Sequence, residues 1–211
     1  MKLSKYIDHT YLKADASKET IEKLCKEAIE FDFMTVCVNP CNITLAKELL
    51  NGSDVKVCTV IGFPLGQATT DSKVFETKDA IEKGADEIDM VINIGKLKDK
   101  DYEFVTNEIA EIKNACGNHV LKVIIETCLL TDEEKKAACK CILDAKADFV
   151  KTSTGFSTAG ATFEDVKLLK ECVGDKAKVK AAGGVKTHDD FLKMIELGAN
   201  RIGTSSGTKL L

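Results

Sequence analysis

Two lysines interrupt runs that otherwise read as buried β-structure: Lys151 in DFVKTSTGFST and Lys180 in KVKAAGGVKT. Each is followed by small residues and glycine, the composition of a loop opening onto a pocket. Alternation along the first run places Phe149, Lys151 and Ser153 on one face. A lone strand lysine is commonly a solvated tip or half of a salt bridge. Two at matching depth are different, because neighbouring strands lie about 4.8 Å apart and bring such amines within roughly 5 Å. At an effective dielectric of ~20 that proximity means about 3 kcal/mol of repulsion, on the order of two pKa units. A lysine ordinarily near ~10.4 then moves toward ~8, and Lys151 becomes a nucleophile.

A neutral lysine in a pocket attacks a carbonyl to form a Schiff base, and the protonated imine draws electrons from an adjacent carbon–carbon bond. The chemistry needs neither metal nor cofactor, but it needs a proton shuttle. Asp89 in EIDMVINIG is the best candidate, a carboxylate in an otherwise apolar run where an unpaired charge would be expensive. Its alternative role is an ion pair with one of the lysines, and both readings place it in the same pocket. Asp8 in YIDHT and Glu126 in VIIET are further acids near run ends, each either hydrogen-bonding the site or holding the architecture. Lys122 falls early in its run, farther from the mouth, and is left out. Metal roles have little support: the nine cysteines are odd in number, contain no C-x-x-C, and mostly sit in apolar periodic runs as buried reduced thiols. The three histidines lack ligand spacing.

The elements that must position these groups alternate. Strand-like runs at 5–10, 34–39, 55–62, 87–94, 120–127, 148–153, 178–183 and 200–205 are separated by amphipathic segments, as in Ile21, Leu24, Cys25, Ala28 and Ile29. Thr131 with Glu134 forms a capping box, Thr162 with Asp165 and Thr187 with Asp190 are weaker versions, and Gly84 and Gly198 are stops. Strands alternating with helices imply parallel pairing. Eight such units without a linker predict a single-domain α/β (β/α)8 TIM barrel over 1–211, with a short final helix. That fold usually needs about 250 residues and rarely fewer than 200. The alternative is an open doubly wound sheet. It is disfavoured because no G-x-G-x-x-G follows the first strand and eight parallel strands in so short a chain close more naturally.

Barrels often cradle phosphate in the loops after strands seven and eight. Here those loops carry Gly183, Gly184 and Lys186, then Gly203, Ser205 and Ser206. Glycines admit backbone N–H groups to an anion, the serines offer hydroxyls, and Lys186 adds charge. Gly155, just past Lys151, completes the ring.

Composition narrows the partner. The 211 residues hold 30 Lys plus Arg against 34 Asp plus Glu, a net charge of -4, with 44% hydrophobic residues. Neither disorder nor a basic nucleic-acid footprint fits, and the partner is small. No apolar run approaches the ~20 residues of a membrane span and the N-terminus lacks a signal-peptide stretch, so no membrane association and a cytoplasmic location are expected.

EIDMVINIGKL, FVKTSTGFSTAGAT, VKAAGGVKT and RIGTSSG, with YIDHTYLK and TVCVNP, resemble the deoxyribose-phosphate aldolase family over nearly the whole chain and in order. The resemblance implies a class I aldolase on a (β/α)8 barrel. Lys151 would form the imine, Lys180 would perturb its pKa and Asp89 would belong to the proton relay. Gly155, Gly183, Gly184, Lys186, Gly203, Ser205 and Ser206 fall on the family's phosphate positions. The reaction implied is reversible cleavage of 2-deoxy-D-ribose 5-phosphate to acetaldehyde and D-glyceraldehyde 3-phosphate, in deoxynucleoside catabolism, without cofactor, by a homodimer. Many members have arginine at Lys186, so bidentate phosphate recognition is lost here and selectivity should weaken. Some also carry a longer C-terminal tail. With the sequence stopping at Leu211, the relay should lean on water or Asp89, and 206–211 should form a single helical turn aimed at the phosphate. Another imine-forming barrel aldolase remains an alternative, as does a silent sugar-phosphate sensor, although a sensor has no need for Lys151, Lys180 and Asp89 together.

Overall fold

The computed structural model describes residues 2–211. Eight strands, β1 (Ile7–Tyr11), β2 (Thr35–Val38), β3 (Lys56–Ile61), β4 (Glu87–Val91), β5 (Val120–Ile124), β6 (Phe149–Lys151), β7 (Lys178–Ala182) and β8 (Ala199–Thr204), pair in parallel and in sequence order, and β8 closes on β1. The eight runs read from the sequence are these strands, and the barrel rather than the open sheet is what forms. Several runs stop short of their expected ends. Asn93 leaves β4 to cap a helix, its side chain accepting from Lys96 N, and Glu126 takes a left-handed φ of 55° beyond β5.

The helices α1 (Lys18–Glu30), α2 (Ile43–Leu49), α3 (Thr70–Glu82), α4 (Ile94–Lys98), α5 (Tyr102–Cys116), α6 (Asp132–Asp144), α7 (Phe163–Val173) and α8 (His188–Glu196) lie outside the strands. Their starts follow from their capping residues. Thr131 and Thr187 form reciprocal capping boxes with Glu134 and Asp190, and Thr162 accepts from Asp165 N. Buried stripes such as Ile21, Leu24, Cys25 and Ala28 on α1, or Val105, Ile109 and Ile112 on α5, face the outer side of the sheet. Each large aliphatic side chain buried this way contributes roughly 1.5–3 kcal/mol. After β8 the chain forms a 3-10 turn, Gly207–Lys209, the single helical turn expected there.

One buried ion pair stands outside the barrel and was not read from the sequence. Lys73 of α3 donates to Glu108 of α5 at 2.8 Å and to the carbonyl of Val91 at 2.9 Å, while Glu108 accepts from Asn93 N at 3.1 Å. Two helices thus hold the end of β4, the strand that carries Asp89. The thiols are mostly buried, as expected. Six cysteines are buried, but Cys41 is exposed and Cys128 and Cys172 are half-buried. Among the described residues no helix is long and apolar enough to cross a membrane.

Candidate active site at the barrel mouth

Lys151 ends β6 in direct register with Lys180 of β7, so the matching depth read from the sequence is real. The two amines are not bare, however. Asp89 Oδ2 accepts from Lys151 Nζ at 2.8 Å and from Lys180 Nζ at 2.7 Å, so one carboxylate oxygen lies between the two cations. The picture of two unpaired, mutually repelling lysines is corrected accordingly. Lys122 of β5, set aside as too deep, donates to Asp89 Oδ1 at 2.9 Å because Asp89 and Lys122 are register partners. Burial by itself would raise the Asp89 carboxyl, yet the charges of Lys122, Lys151 and Lys180 hold it well below the usual range. Burial by itself would lower the Lys180 and Lys122 amines, and the facing carboxylates instead hold both above their ordinary values.

Asp8 of β1 reaches Lys180 at 2.6 Å and pairs with Arg201 of β8. Arg201 also donates to Glu87 of β4, through Nη1 at 3.2 Å and Nη2 at 3.0 Å, and Glu87 contacts Lys122 at 2.5 Å. Asp8 therefore belongs to the same charged layer as the lysines. Glu87 and Arg201 were missed, although both have a legible signal: Glu87 precedes Asp89 by two and so shares its face, and Arg201 is the register partner of Lys180. Against the burial that would raise them, the neighbouring cations hold Asp8 and Glu87 below the ordinary carboxylate range.

Above this layer opens a cavity of about 710 Å³. Lys151 lines it while only 3% exposed, whereas Asp89, Lys180, Asp8 and Glu126 do not reach it. The expectation that Asp89 shares the pocket is corrected to a place beneath its floor. Gly155, Gly183, Gly184, Lys186, Gly203, Ser205 and Ser206 all line the cavity, and Thr10, Lys13, Thr154 and Lys209 join them without having been read from the sequence. Gly183 and Gly184 take φ of 70° and 82°, where a side chain is strained, and a Cβ on Gly184 would meet the carbonyl of Ala161 at 2.9 Å. Gly203 has a further use, since a Cβ there would come within 3.2 Å of Lys180 Cε.

Glu126 acts on the loop rather than the cavity. Its carboxylate accepts from Thr154 N at 3.2 Å and from the Thr154 hydroxyl, which fixes the turn leading into Gly155. Cys37, Cys58 and Asp89 bring potential metal-ligand atoms together. Three ammonium groups already occupy Asp89, and Cys58 donates to its Oδ1 at 3.2 Å, so this donor set disfavours a cation. The arrangement fits a different chemistry, in which a lysine that lines the cavity sits on a buried, ionised carboxylate, opposite a glycine-rich anion cradle.

The model of the DeoC/LacD family of aldolases matches residues 2–210. A deoxyribose-phosphate aldolase of Finegoldia magna is 62% identical over 211 residues, covering 100% of this chain and 99% of its own. The enzyme of the same name from Malacoplasma penetrans is 60% identical over 210 residues, covering 100% and 95%. Among solved structures, the tetrameric deoxyribose phosphate aldolase of Aeropyrum pernix superposes with a TM-score of 0.90 at 33% identity, over 99% of this chain and 88% of that one. With its barrel, its buried lysine pair and a match running from end to end, the chain belongs to the DeoC/LacD family of aldolases.

Proposed function

We propose that Lys151 is the imine-forming nucleophile of this aldolase, with Asp89 and Lys180 as its proton partners and the Gly183–Gly184 and Gly203–Ser206 loops as its phosphate cradle. The activity is the reversible cleavage of 2-deoxy-D-ribose 5-phosphate to acetaldehyde and D-glyceraldehyde 3-phosphate. One observation carries the reading: Lys151 lines the cavity while its Nζ shares Asp89 Oδ2 with Lys180, and the glycine loops line the same cavity.

The chemistry follows from that placement. Lys151, as a free amine, attacks the substrate aldehyde carbon, and loss of water leaves a protonated imine, while the Asp89 carboxylate stays ionised between Lys151 and Lys180. The bond between the second and third carbons breaks as its electrons move into the imine, the third-carbon hydroxyl loses its proton, and glyceraldehyde 3-phosphate departs. Protonation of the remaining enamine and hydrolysis release acetaldehyde and restore the amine. Asp89 lies out of the cavity, so it acts on protons through Lys151 and Lys180 rather than by touching substrate. The phosphate accepts from backbone N–H groups of the glycine loops and from Ser205 and Ser206, with Lys186 supplying charge. Lys186 gives a point charge instead of a bidentate fork, which supports a broader tolerance at the phosphate end.

Borohydride added with acetaldehyde should leave a reduced two-carbon adduct on Lys151, read by peptide mass spectrometry. Lys151→Ala should abolish both adduct and cleavage while keeping the fold. An unmodified Lys151 under turnover conditions would overturn the assignment. We further take 1–211 to act as one catalytic domain, cytoplasmic and homodimeric. Sedimentation would test the assembly, and the tetramer of the Aeropyrum pernix relative is the outcome to weigh against a dimer.

A further inference from the structure

Six charged side chains in the barrel interior form a closed circuit of alternating sign. Arg201 pairs with Asp8, Asp8 with Lys180 at 2.6 Å, Lys180 with Asp89 at 2.7 Å, Asp89 with Lys122 at 2.9 Å, and Lys122 with Glu87 at 2.5 Å. Glu87 returns to Arg201 at 3.0 Å. Three anions balance three cations, all of them buried. Lys151 is a seventh member, attached through Asp89 alone and placed between this circuit and the cavity. With an ammonium on Lys151 the layer carries one uncompensated positive charge, and with a free amine it is neutral.

We propose that Glu87 and Arg201 are positioning residues for the aldol reaction, which close this circuit and set the charge balance that decides the pH at which Lys151 becomes a free amine. The proposal rests on the imine-forming reading of Lys151 given above. Neither residue lines the cavity, so any influence on the reaction must pass through other members of the layer. Lys122 and Lys180 each contact two carboxylates, whereas Lys151 contacts one and has a route to solvent. Arginine does not titrate in this range. A charge added or removed at the far side of the circuit is therefore felt at Lys151 through Asp89.

The groups that take part come from every strand packed against the two ends. Lys151 faces Asp89 of β4 and Lys180 of β7, with Lys122 of β5 on the far side of Asp89 and the Cys37 thiol of β2 nearby. Glu87 faces Lys122 of β5 and Arg201 of β8, with Asp8 of β1 across Arg201 and Cys58 of β3 in register beside it.

The test is the rate of cyanoborohydride-trapped imine from acetaldehyde, a reductant that survives mild acid and spares the free aldehyde, followed between about pH 5 and pH 9, where the acid limb reports the amine. Glu87→Gln leaves the layer one positive charge richer, and its acid limb should move down by on the order of one pH unit. Arg201→Gln leaves it one positive charge poorer, and its limb should move up by about as much. The double variant conserves the charge balance and should return the limb toward that of the unaltered protein. Glu87→Asp keeps the charge and should leave the limb in place.

A purely structural role would slow trapping in both single variants without displacing the limbs in opposite directions. Each variant carries its own sign, so either one that folds tests the proposal. Limbs that stay put, or that move the same way, overturn it. A missing adduct in the unaltered protein would instead count against the Schiff-base reading. Adducts in every form with unmoved limbs would count only against the role of the circuit.

Discussion

Replacing Asp89 by asparagine removes the one charge that three buried lysines share. The amide keeps the shape and one acceptor oxygen, while its NH2 faces an ammonium where the second oxygen had accepted, so the charge is lost together with hydrogen bonding on that side. Lys151 and Lys180 both lie within 2.8 Å of the same oxygen and Lys122 within 2.9 Å of the other, so all three lose a partner at once. Breaking a buried ion pair on one side costs about 3–5 kcal/mol. For a chain of this size each kcal/mol lowers the melting temperature by roughly 2–4 °C, so Asp89→Asn should melt about 6–20 °C below the unaltered protein at pH 7.

The sign of the pH dependence is a sharper test than the size of the loss. In the variant four cations face two carboxylates, and the cheapest relief is for one lysine to release its proton. The folded state then holds fewer protons than the unfolded chain, whose lysines keep theirs to about pH 10. Stability rises with pH wherever the unfolded state binds more protons, so the melting deficit should shrink between about pH 7 and pH 9. Differential scanning fluorimetry across that range measures it directly. A deficit below about 2 °C, or one that is constant or grows with pH, would refute the account of Asp89 as the shared counter-charge.

In the cradle, Gly184→Ala forces a side chain onto a φ of 82° and against the carbonyl of Ala161. A strain of order 1–3 kcal/mol should raise KM for the phosphorylated substrate about five-fold or more, while borohydride trapping of acetaldehyde stays intact. Equal losses in both assays would show that the loop is not a phosphate device. Acid unfolding should be steep and should take up several protons. Asp8, Glu87 and Asp89 are held below their unfolded values, so their stabilisation is present above about pH 4 and is lost as the pH falls toward their folded values. A pH titration followed by circular dichroism should therefore show Glu87→Gln unfolding over a shallower range, and an unchanged slope would contradict the pairing.

The fold was legible because its signals are local. Capping residues such as Thr131 with Glu134, glycine stops and β-branched runs each act within a few residues of themselves, and eight repetitions leave little choice of topology. The lysines and the cradle were legible for a related reason, since a charge in an apolar run or a Gly-Gly at a strand end is odd in its own neighbourhood. What escaped depends on stagger between strands. Lys122 sits in VLKVIIET much as Lys151 sits in DFVKTST, yet only the register that pairs it with Asp89 reveals that both lysines serve one carboxylate. The expected repulsion between Lys151 and Lys180 failed for the same reason. The intervening oxygen comes from a strand 62 positions from Lys151 and 91 from Lys180, and nothing near either lysine announces it.

The placement of the charged layer beneath the cavity has a consequence for how such an enzyme can change. Of its seven members, Lys151 is the one that enters the cavity, and the surrounding wall is built from other residues, including Leu12, Phe156 and Val185. Substitutions at Phe156 and Val185 would alter which aldehydes fit with no hydrogen bond or ion pair to the ionised groups below, whereas Leu12 packs with Cys58, which donates to Asp89, and is the wall position expected to couple to the layer. Substrate range and proton handling can therefore be inherited, lost or redesigned separately, with one side chain as the hinge between them.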